Sequence, residues 1–169
     1  MTPQDRDRDP AGRPRNARPR DALGRPLAHG TAGESRIPDD LSLPPGEAIA
    51  LAQQLLDSGR PFQAHEVLEA SWKSAPPAER DLWQGLAQVA VGLTHAQRGN
   101  SRGAAALLRR GAAAVSGYLP GGDDADGPYG IDIAGISQAA GGLAGRIERD
   151  GLDRVTPGDL RLRLRAAAG

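Results

Sequence analysis

From Glu47 onward the apolar positions recur at three- and four-residue intervals, which predicts helices almost throughout. Ala48, Ile49, Leu51, Ala52, Leu55 and Leu56 mark a first helix over 47–56, and Gly59 beyond it can take the left-handed conformation that ends a helix. Pro61 suits the first turn of a second helix, which runs to about Lys73 before Ala75-Pro76-Pro77 breaks it. A third helix starts near Pro77, with Glu79 favoured in its first turn by the helix dipole, and runs to Arg98, where Gly99-Asn100 ends it. The fourth, about Ser101 to Tyr118, turns Ala104, Leu107, Leu108 and Val115 inward and Arg102, Arg109 and Arg110 outward; its short link makes it an antiparallel partner of the third. A fifth runs from Asp132, as N-cap, to about Arg149.

The third helix differs from the others. Between Asp81 and Arg98 it carries no formally charged residue besides the titratable His95, and a helix without a charged face is buried on all sides. It is therefore expected at the centre of the bundle. Gly85 and Gly92, seven residues apart, each cost about 1 kcal/mol of helix propensity relative to alanine, which points to a neighbour packed closely against them. The tail Leu160-Arg161-Leu162-Arg163-Leu164-Arg165 alternates apolar and basic residues; with no strand to pair with, it is expected as an extended segment along the bundle. The fold class is thus all-α: a compact bundle of about five helices.

Composition divides the chain in two. Residues 1–40 are rich in Arg, Asp, Pro and Gly with almost nothing apolar to bury, so they are expected to form a disordered arm preceding a helical domain over 41–169. Acidic and basic residues balance at 21 each, which argues against a nucleic-acid or membrane partner. There is no cysteine, so a metal would need nitrogen and oxygen ligands. No apolar run reaches the ~20 residues that cross a bilayer, and a cytoplasmic location is expected.

Chemistry concentrates on the second and third helices, which hold two of the three histidines, both tryptophans and the single phenylalanine. At ~100° per residue, Phe62, His65, Glu66, Glu69 and Trp72 fall on one stripe of the second helix. Gln84, Gln88, Val91, His95 and Arg98 fall on one stripe of the third, opposite Leu82, Trp83, Leu86, Val89, Ala90 and Leu93. If the stripes face each other, His65, Glu69 and His95 can ligate one divalent metal ion and Glu66 can act as general base toward a bound water. Phe62, Trp72, Gln84, Gln88 and Arg98 would then line the pocket. The spacing is His-Glu-x-x-Glu, not the His-Glu-x-x-His of zinc proteases. Two other readings fit the same residues: a buried hydrogen-bond network built on a His65–Glu69 pair, and a non-catalytic pocket for a small molecule or protein partner.

The combined pattern resembles an uncharacterised helical family, domain of unknown function 309. The resemblance is carried by Phe62, His65-Glu66-Val67-Leu68-Glu69, Trp72, Trp83-Gln84-Gly85-Leu86-Ala87-Gln88, His95, Arg98-Gly99-Asn100, Gly103-Ala104 and Leu107-Leu108. It spans roughly residues 45 to 120, with a looser likeness through Tyr129-Gly130-Ile131-Asp132. It implies a small all-α fold and a metal-dependent hydrolase label without an established activity.

Overall fold

A computed structural model of the protein describes residues 20–21, 23–25, 37–38, 40–118 and 127–166. The chain divides into units 1–36 and 37–169. Most of the expected arm lies outside the described residues. Within the first unit, the Asp21 carboxylate accepts the backbone N–H of Leu23 at 3.0 Å and of Arg25 at 2.9 Å, forming one local turn.

Five α-helices are described in the second unit: α1 (Pro45–Asp57), α2 (Pro61–Ser74), α3 (Arg80–Gln97), α4 (Ser101–Ser116) and α5 (Ile133–Asp150). The all-α expectation holds; among the described residues no strand forms, and Ile131 and Arg165 make an isolated antiparallel bridge. Each boundary has a local cause. Gly59 adopts φ +72°, which lets the Arg60 N–H return to the Leu55 carbonyl at 2.8 Å and close α1. Ala75 before Pro76 is forced out of the helical region, to φ −69° and ψ 148°, and this ends α2. The third helix starts three residues later than the periodicity implies, because Pro77–Glu79 form a separate 3₁₀ turn. Asn100 caps α4 and Asp132 caps α5, each accepting a backbone N–H three residues on, at 3.0 and 2.9 Å.

The uncharged helix is the central one, with α2 and α4 packed on it, α1 on α2 and α5 on α4. Leu82, Trp83, Leu86, Val89, Ala90 and Leu93 are buried along it, and Thr94, also buried, returns its hydroxyl to the Ala90 carbonyl at 2.9 Å. The glycines mark where α3 and α4 touch. A Cβ on Gly85 would lie 2.9 Å from Ala114 Cβ, and one on Gly92 would lie 2.8 Å from Leu108 Cγ.

The tail uses its alternation to close the unit. Leu162 and Leu164 are buried while Arg161, Arg163 and Arg165 stay exposed. Gln53 of α1 clasps it from both sides, donating to the Leu162 carbonyl at 3.1 Å and accepting from the Leu164 N–H at 2.7 Å. Ile37, Leu41 and Leu43 pack partly buried against the same core. No helix among the described residues is long and apolar enough to cross a membrane.

Candidate functional site

The chemistry-bearing residues separate into two places along α3. The first is its C-terminal end. One turn apart on α2, His65 Nε2 and Glu69 Oε2 lie 3.3 Å apart, with side chains 21% and 38% exposed; Lys73 Nζ lies 3.8 Å from Glu69 Oε1. The Phe62 ring meets the His65 ring at 5.7 Å, and the Arg98 guanidinium sits 5.8 Å from the Phe62 centroid, a cation–π contact that ties the C-cap of α3 to the first turn of α2. Gln97 reinforces this junction by donating to the Gly59 carbonyl at 2.8 Å.

His95 turns toward the α3–α4 link, its Nδ1 3.1 Å from Asn100 Nδ2. Asn100 Oδ1 already accepts from Gly103, so the amide donates to a neutral Nδ1. Burial, then the nearby Arg98 charge, pushes the His95 pKa below its ordinary 6.5. The linkage sign follows: the contribution of His95 to stability is complete above pH 6.5, where the unfolded imidazole is also neutral, and is lost as pH falls through the lower folded pKa. An NMR titration of the imidazole protons should place the His95 midpoint below 6.5; a midpoint above that value would contradict the neutral pairing.

The second place lies in the N-terminal half of α3. Gln84 and Gln88 face not α2 but α4, where they line a cavity of about 580 Å³ together with Asp81, Arg110 and Tyr118; Ala113, Ala114 and Gly117 complete the α4 side. Gln88 Oε1 is buried and has no hydrogen-bond partner among the described residues. Gln88 thus stands about 15 Å and Gln84 about 21 Å along the axis from the Arg98 junction, at 1.5 Å per residue. The two stripes meet where the Arg98 guanidinium lies over the Phe62 ring. Trp72 is half-buried and packs on the core. Among the described residues, no group of three His, Asp or Glu is arranged to hold a metal ion.

Sequence periodicity missed three polar residues of the cavity. Arg110 looks like part of an outward solvated face, Tyr118 like a helix end, and Asp81 like the boundary of the uncharged stretch. It also missed the clamp beside the cavity. There, Glu79 accepts from Tyr129 Oη at 3.2 Å and from Trp83 Nε1 at 3.5 Å, while the Trp83 and Tyr129 rings lie 6.2 Å apart. Tyr129 has φ +61°, rare for a side-chain-bearing residue, and burial followed by the Glu79 hydrogen bond raises its pKa.

Comparison with known proteins bears on both places. A family model described as domain of unknown function (DUF309) matches residues 49–107. That segment is similar to the DUF309 family. It contains His65, Glu69, His95, Arg98, Asp81, Gln84 and Gln88, while Arg110 and Tyr118 lie beyond it. A Bacillus subtilis (strain 168) relative, "Uncharacterized protein YpuF", is 46% identical over 48 residues, which is 28% of this chain and 28% of that protein's own length. No solved structure matches.

Proposed function

We propose that this chain is a helical binding module that holds a small polar molecule in the groove between α3 and α4. The observation that carries this is Gln88, which lines a cavity of about 580 Å³ and whose Oε1 is buried without a hydrogen-bond partner among the described residues. An unpaired buried carbonyl costs about 1–3 kcal/mol, and turning the Gln88 amide toward a ligand N–H or O–H in the groove would recover that cost. Around it stand a second amide, a carboxylate, a guanidinium and a phenol, the few convergent polar groups expected of a small-molecule site.

The test couples binding to stability. In an NMR fragment screen on the full chain, ligands should shift the side-chain amides of Gln84 and Gln88 together with the backbone of Gly117 and Tyr118, and should do so saturably. Gln88→Leu should abolish those shifts while raising stability by about 1 kcal/mol, since an apolar side chain removes the unpaired carbonyl. Fragments that bind Gln88→Leu as well as wild type would overturn the reading.

A metal-assisted hydrolase is the second reading, favoured by the His65–Glu69 contact at 3.3 Å. Its third ligand would be His95, with Glu66 as base, but His95 is paired to Asn100 and the described residues do not form a three-ligand set, so the arrangement does not fit a preformed metal centre. Elemental analysis of protein purified without chelator should accordingly find well under one divalent ion per chain. Stoichiometric metal, lost in His65→Ala, would replace the binding-module reading with this one. Because Glu69 is 38% exposed, Glu69→Gln should cost less than about 1 kcal/mol as an exposed pair.

A further inference from the structure

Resting on the α3–α4 groove as the ligand site, we infer that its ligand is a short zwitterionic peptide of three residues, its carboxylate at Arg110 and its ammonium at Asp81. The order of groups along the groove carries this. Gly111 packs against Val89 and the Gly85 carbonyl, which puts Arg110 level with about Val89 and Ala90 of the antiparallel helix. Asp81 lies eight to nine residues nearer the start of α3, so the two charges mark opposite ends of the groove, about 12–13 Å apart along the axis at 1.5 Å per residue. Both are exposed at the rim, and neither forms an ion pair with the other or with another described residue.

Between them Gln84 and Gln88 stand one turn apart, about 6 Å along the axis. In an extended chain the groups facing one way repeat every two residues, about 7 Å. On one edge an extended tripeptide presents its first carbonyl and its third N–H, so one glutamine amide can donate to the carbonyl while the other accepts from the N–H. Three extended residues span about 10 Å, and the Asp81 and Arg110 side chains close the remaining gap. A single amino acid is too short to reach both ends. Asp81 opposes a polyanion such as a nucleotide, and Arg110 opposes a polyamine. The small Ala113, Ala114 and Gly117 leave room for the peptide backbone.

Calorimetry on the full chain tests this with four ligands: trialanine, N-acetyl-trialanine, trialanine amide and glycine. Trialanine should bind one to one and glycine should not. Acetylation or amidation should each weaken binding by about tenfold or more, the loss of one charge-assisted contact. Asp81→Asn should remove the penalty of acetylation alone, and Arg110→Gln that of amidation alone; circular dichroism confirms that both exposed variants fold. Equal binding of free and blocked peptides, or no binding of trialanine, would overturn the inference. If other fragments still shift Gln84 and Gln88, the groove remains the site and only its ligand class is wrong. If nothing shifts them, the site itself falls.

Discussion

Replacing Trp83 with alanine is expected to destabilise the 37–169 unit by about 3–5 kcal/mol, the cost of truncating a fully buried aromatic ring. Trp83 is 1% exposed and sits in the second turn of α3, where its indole fills the core and its Nε1 reaches Glu79 at 3.5 Å. The Trp83 ring also lies 6.2 Å from that of Tyr129, so the truncation removes a contact to the turn at Pro128–Gly130 as well. Trp83→Phe separates the contributions. It keeps most of the apolar volume and loses the Nε1 donor, whose hydrogen bond at 3.5 Å is long; its cost should be about 1–2 kcal/mol. In urea unfolding followed by circular dichroism, the alanine variant should therefore lose at least about twice what the phenylalanine variant loses. Equal losses would mean that the Glu79 contact, and not the buried ring, anchors α3.

The same helix shows how far the sequence could be read. That α3 is central follows from the stretch without charge between Asp81 and Arg98, because a chain lacking a solvated face must be covered on every side. The helix ends were legible where a single residue dictates them, at Gly59, Asn100 and Asp132. They were displaced at Pro77, where two adjacent prolines favour a 3₁₀ turn that periodicity alone does not distinguish from a first α-turn.

The site was legible as a set of residues and not as a geometry. Gln84, Gln88, His95 and Arg98 share one stripe on an ideal wheel, but a wheel projects away the axis. Over about 15 Å of helix the neighbour changes. Near Arg98 it is Phe62 of α2, at His95 it is Asn100, and at Gln84 and Gln88 it is the α4 groove. No local pattern records that change. Arg110 carries a further lesson, because a groove-lining guanidinium has the same helical phase as a solvated one. Tyr129 pairs with Glu79 fifty residues away, and only the fold brings them together.

Gly111→Val is expected to cost about 3 kcal/mol and to abolish ligand binding in the groove. A Cβ at Gly111 would lie 2.7 Å from Val89 Cγ2 and 2.8 Å from both the Gly85 carbonyl oxygen and the Val89 backbone nitrogen. A side-chain methyl can rotate away, but the two backbone atoms cannot, so α3 and α4 must part; overpacking of this kind costs about 1–3 kcal/mol even for a small group. Valine adds two further carbons at the same point. The helix-propensity gain on replacing glycine, at most about 1 kcal/mol, does not offset that strain. Gly141 in α5 is the control, because a Cβ there meets nothing within 4 Å, so Gly141→Ala should stabilise the unit by up to about 1 kcal/mol. The opposite signs are the diagnostic result, read as thermal midpoints of the two variants. The same crossing backs the groove, since Gly85 packs on Ala114, which lines the cavity. Parting the helices moves Gln84 and Gln88 relative to Arg110, and affinity should fall in Gly111→Ala even where that milder variant remains folded. A Gly111→Val protein with an unchanged midpoint would mean that α3 and α4 are not in contact at Gly111, and the groove geometry built on that register would fall with it.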